Sequence, residues 1–140
     1  MNTALRSRAG WQLRVLLVGN VGAASVALSA WLSEREKLLA VAGPAETTAA
    51  ALTLAASFEP DVVLLDFHGL PASISHTVSL LKGLSPSPLV LVLTHDASAT
   101  MRRRCLDAHV DAVFDKTTEL ETVATLLEQT RKSLAGTPAL

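Results

Sequence analysis

Five short apolar runs punctuate this chain, and each is followed by a stretch with a different periodicity. They are Val15-Leu16-Leu17-Val18, Leu38-Leu39-Ala40-Val41, Val62-Val63-Leu64-Leu65, Leu89-Val90-Leu91-Val92-Leu93, and Val110 to Phe114. Runs of four or five residues without polar alternation suit strands buried on both faces, as in a parallel sheet covered by helices. Between them apolar residues return at helical spacing. Leu120, Val123, Ala124 and Leu127 fall at i, i+3, i+4 and i+7, with Thr117 or Thr118 as N-cap candidates and Arg131 and Lys132 where they complement the helix dipole. Met101, Cys105, Leu106 and His109 form a shorter stripe, and Ala49, Leu52, Leu54, Ala55 and Phe58 line a helix that must stop before Pro60. The Ala/Thr-rich stretch Ala45 to Ala56 reads as part of that helix. Strand followed by helix, five times over, forces parallel strands joined by right-handed crossovers. The expected fold is α/β, a doubly wound sandwich on a five-stranded parallel sheet.

The 140 residues leave room for one such domain. We read residues 1–13 as an N-terminal tail, 14–134 as the domain and 135–140 as a C-terminal tail. With 49% apolar and 18% charged residues, a packed core is expected and a disordered chain is excluded. The net charge of −1 provides no overall basic field, so no nucleic-acid partner is expected. A single cysteine, Cys105, cannot close an intramolecular disulfide, which fits the cytoplasm. Val15 to Ser33 carries no charge and follows three arginines, in the manner of a signal peptide, but Gly19-Asn20-Val21-Gly22 and three serines interrupt it. The better reading is a buried strand, Arg14 to Val18, then a turn and a helix from about Gly22, with no membrane partner.

In a doubly wound sheet the ligand site lies beyond the carboxyl ends of the strands. The residues there are Gly19 and Asn20 after the first run, Asp66 after the third, Thr94 after the fourth and Lys116 just past the fifth. A carboxylate, a hydroxyl and an ammonium from three strands can carry a phosphoryl group. The carboxylate acts as nucleophile, and the other two stabilise the phosphoryl oxygens. Taken singly, Asp66 reads equally as a cap, Thr94 as a strand-end hydroxyl and Lys116 as a surface charge; their joint placement is the signal.

On Val62-Val63-Leu64-Leu65-Asp66, Leu91-Val92-Leu93-Thr94 and Phe114-Asp115-Lys116, with 28 and 22 positions between the three functional residues, the chain resembles the receiver domain of two-component response regulators from Arg14 to about Leu134. The resemblance implies a flavodoxin-like (βα)5 fold and a stand-alone signalling module, not an enzyme. It also implies Asp66 as phosphoacceptor in a phosphorelay, Thr94 and Lys116 on the phosphoryl group, and output through protein contacts. The partners it implies are a sensor histidine kinase or phosphotransfer protein, a downstream protein, and a second copy of the chain if it dimerises.

Three departures qualify it. Receivers carry two adjacent carboxylates after the first strand, which help hold magnesium; Gly19-Asn20 stands there. The remaining magnesium ligands are Asp66, Asn20 and the backbone carbonyl of His68, so magnesium is expected to bind weakly or not at all and phosphorylation to be impaired. The family's switch aromatic, three residues before the lysine, is Val113, with Phe114 turned to the opposite face. Pro71 falls five residues past Asp66, where four is common. A phosphorylation-independent interaction module is therefore an alternative. A small nucleotide-binding α/β protein is another, suggested by Gly19-x-x-Gly22 but without a dinucleotide fingerprint or P-loop. Cys105 and His109, an i, i+4 pair of ligand types, read as core packing. Arg102-Arg103-Arg104 reads as a solvated helix face, with an acidic partner as the second reading.

Overall fold

The computed structural model describes residues 11–19, 30–35, 38–67, 74–95 and 97–135. Strand β1 (Leu13–Gly19) is followed by helical residues 30–33, β2 (Leu39–Ala45) and helix α1 (Thr48–Phe58). Then come β3 (Val62–Phe67), α2 (Ile74–Lys82), β4 (Leu89–Thr94), α3 (Ala99–Asp107), β5 (Ala112–Asp115) and α4 (Leu120–Ala135). All strands pair in parallel, in the order β2-β1-β3-β4-β5. This is the doubly wound α/β architecture expected from the alternation of runs. The expected first helix from Gly22 falls largely outside the described residues.

Alternation along the strands splits the core into two layers. Leu16, Val18, Val63, Leu65, Val92 and Val113 face α1, α2 and α3, while Val15, Leu17, Leu64, Leu93 and Phe114 face Leu32 and α4. Both parities are buried, which is why the runs lack polar alternation. Val113 and Phe114 accordingly belong to opposite layers, as their adjacency requires.

Several elements differ in extent from the reading above. β2 runs four residues beyond Val41, through Gly43 and Pro44 to Ala45, and α1 starts only at Thr48, capped by the Thr47 hydroxyl. Proline is tolerated because β2 is an edge strand, and Gly43 has φ +99 where the register with β1 shifts. Ala51, not Ala49, lies with Ala55 on the buried side of α1. Helix α3 ends at Asp107, so His109 lies past it, exposed and left-handed at φ 69, while Leu106 is 55% exposed. Only Met101 and Cys105 of that stripe are core, and Cys105 and His109 share no helical face.

Candidate functional site

The strand order reverses at β1, whose neighbours are β2 on one side and β3 on the other. This switch point is where an open α/β sheet leaves a crevice. Gly19 and Asp66 are register partners at its rim. Their approach is close: a Cβ on residue 19 would lie 2.5 Å from the Asp66 carbonyl oxygen and 3.1 Å from its Cβ. Glycine is therefore required here by the backbone of the residue opposite, and a carboxylate cannot be carried at this position without moving β1 or β3.

Asp66, the next-to-last residue of β3, has its side chain only 2% exposed. Its carboxylate is in contact with the Lys116 ammonium, itself 10% exposed. The sheet brings the two together from β3 and from the turn after β5, across the intervening β4. Burial of an unpaired carboxylate is costly, so the ammonium is the natural counter-charge in this nearly dry place. Thr94, the last residue of β4, is buried at the same rim, with Phe67 and Asp115 as register partners, and its carbonyl accepts the Lys116 backbone N–H at 2.9 Å. The structure thus gathers Asp66, Thr94 and Lys116 at one edge. Asn20 and His68 lie outside the described residues.

Magnesium needs several oxygen ligands, preferably anionic, in a near-octahedral shell. The described residues do not fit that requirement. They supply one carboxylate, already engaged by Lys116, and a glycine with no room for a side chain opposite it. Among the described residues no group of three or more His, Cys, Asp or Glu is placed to share a metal ion.

Sequence reasoning missed the scaffold beneath Lys116. The Asp115 Oδ1 accepts the backbone N–H groups of Thr117 at 2.7 Å and Thr118 at 3.2 Å, and these bonds, Thr117's first, hold its carboxyl below the usual range. Neither threonine is the helix cap; α4 begins at Leu120, after Glu119. The Glu119 Oε1 accepts the Asp115 N–H at 2.8 Å and an Arg102 Nη2 donor at 2.7 Å, which lower its pKa in that order of importance. Arg102 also donates through Nε to the Ala97 carbonyl (3.0 Å) and through Nη1 to the Val113 carbonyl (2.9 Å). Arg103 and Arg104 are exposed as the sequence suggested, whereas Arg102, with its side chain 39% exposed, is also bonded into this scaffold. The Asp-Thr-Thr pattern was a readable turn signal. Two of Arg102's acceptors are main-chain carbonyls, which no side-chain pattern announces.

No protein-family model matches the sequence, and no curated protein matches it either. Solved structures do. The signal receiver domain of an HD domain-containing protein from Pseudomonas fluorescens superposes with a TM-score of 0.71 at 20% identity, covering 89% of this chain and 98% of that one. The non-phosphorylated HemR receiver domain from Leptospira biflexa gives 0.65 at 23% identity, over 86% and 94%. A response regulator from Burkholderia pseudomallei, with a phosphorylated aspartic acid, calcium ion and citrate, gives 0.67 at 22% identity, over 91% and 74%. Layer order, strand order and these superpositions agree: the chain has the fold of the response-regulator receiver domains.

Proposed function

We propose that this chain is a receiver-like signalling module in which Asp66 is the phosphoryl-accepting carboxylate, Thr94 and Lys116 contact the phosphoryl oxygens, and transfer is slow because the metal-binding half of the site is missing. The observation that carries the reading is the buried Asp66–Lys116 contact at the switch point of a receiver fold. An Asp66 oxygen attacks the phosphorus of a phosphorylated histidine or small phosphodonor; the bond from phosphorus to the donor breaks, and the donor leaves with its electron pair. The Lys116 ammonium offsets the charge that gathers on the phosphoryl oxygens, a role that magnesium would otherwise share. Similarity to a regulator whose aspartic acid is phosphorylated supports the chemistry. The output, in this reading, is contact with a downstream protein.

A second reading has a specific observation in its favour. Gly19 cannot carry a carboxylate, and Val113 is a small aliphatic where a ring would swing, so the fold would serve as a constitutive interaction module with the Asp66–Lys116 pair permanently closed. Incubation with acetyl phosphate and magnesium, followed by intact mass, separates the two. Slow partial gain of one phosphoryl group, absent in Asp66→Asn, supports the first reading. No gain supports the second, and rapid stoichiometric gain would show that the missing acidic pair does not matter.

A further inference from the structure

The Arg102 guanidinium uses its fork on three separate segments: Ala97 just ahead of α3, Val113 in β5, and Glu119 at the entry to α4. A planar group with donors in fixed directions can satisfy three such acceptors only in one relative placement of the segments. The same Glu119 oxygen takes the Asp115 N–H, and Asp115 in turn folds the following turn over its own carboxylate. Lys116 sits inside that loop of contacts. Its backbone N–H is tied to Thr94, and its ammonium lies on Asp66.

We propose that Arg102 is the positioning residue of Lys116: through Glu119 and the 115–119 turn it latches the ammonium onto Asp66, so that the rim pocket and helix α3 share one conformational state. This rests on the functional reading above only in treating the Asp66–Lys116 contact as the site. The consequence is reciprocal. A perturbation of α3 that draws Arg102 away loosens Lys116, and a change at Lys116 is felt at α3 through the same bonds. Exposed Arg103 and Leu106 lie beside Arg102 on that helix, so a protein bound there is placed to act on the latch.

Amide hydrogen exchange of the full chain, with competitive reductive methylation of its lysines, tests this. In Arg102→Ala the amides of Asp115 and Lys116 should exchange about tenfold faster, the loss of about 1.4 kcal/mol of local protection. Those of Arg14 and Val90, at the opposite rim, should keep their rates. Methylation of Lys116 should rise relative to Lys82 and Lys132. Arg102→Lys, which keeps the charge but lacks the planar fork, should restore neither property. If Arg102→Ala does not fold, Glu119→Ala, which removes the oxygen that both Arg102 and the Asp115 N–H share, gives the same readouts. Wild-type exchange at Asp115 and Lys116 together with unchanged methylation would overturn the proposal. Uniform acceleration that includes Arg14 and Val90 would also overturn it, by making Arg102 a general stability residue. Neither readout involves phosphoryl transfer, so a chain that never gains a phosphoryl group can still carry the latch, and the reverse.

Discussion

A methyl group added at residue 19 would press on the Asp66 carbonyl, 2.5 Å away. Gly19→Asp, which nominally restores half of an acidic pair, should therefore destabilise the fold by about 2 kcal/mol or more, read as a lower urea midpoint. The opposite outcome is expected at His109, a non-glycine residue at φ 69 just beyond α3 with an exposed side chain. His109→Gly removes the left-handed penalty and should stabilise by roughly 1 kcal/mol in the same assay. At this scale Asp66, Thr94 and Lys116 were legible because each closes or follows a buried apolar run. The reason for Gly19 was not, since it lies in the backbone of a residue 47 positions away that only pairing brings opposite. Arg102 looked like one of three equivalent surface cations, because its acceptors belong to segments that come together only in the folded chain.

Strands β1 and β4 are fastened at their starts by aspartates that precede their neighbours. The Asp61 Oδ2 accepts the Arg14 N–H at 2.8 Å, and the Asp111 Oδ2 accepts the Val90 N–H at 2.7 Å while also holding the Lys82 ammonium at 2.6 Å. Asp111→Ala leaves a strand-end N–H without that acceptor and should cost about 1–3 kcal/mol, whereas Lys82→Met, which keeps the carboxylate, should cost less. The turn entering α4 is expected to respond to pH. Asp115 and Glu119 are both held below their ordinary values of 3.8 and 4.5, chiefly by backbone N–H donors. Their contribution to stability is complete above those ordinary values and disappears as pH falls through the lower folded ones. Amide protection at residues 115–118 should accordingly drop below about pH 4 before the central strands lose theirs. The strands and helices α1, α3 and α4 were readable from period; α2 was not singled out, and the edges were not readable. β2 outran its apolar run because an edge strand accepts Gly43-Pro44, and α3 stopped short because its last turn yields to a left-handed residue.

The described residues form a sheet covered on both faces, with a buried charge pair at its carboxyl rim. Such a pair gives little net stability, but removing one partner leaves the other stranded. Lys116→Met and Asp66→Leu should each destabilise by about 3 kcal/mol or more, and the double variant should recover most of that loss. Additive losses in a denaturation cycle would show that the two groups do not depend on each other. The parallel, doubly wound arrangement and a site beyond the carboxyl ends of the strands followed from alternation and the parallel-sheet rules, whereas the strand order β2-β1-β3-β4-β5 did not. The convergence of Asp66, Thr94 and Lys116 followed as well, but the direct Asp66–Lys116 contact did not, because it depends on a distance that spacing does not contain. In the proposed function Lys116, rather than a divalent metal, is the counter-cation of Asp66. A magnesium titration followed by the amide resonances of Gly19, Asp66 and Lys116 tests this most directly: the three should show no saturating shift at millimolar magnesium, and a saturable shift shared by all three would contradict it.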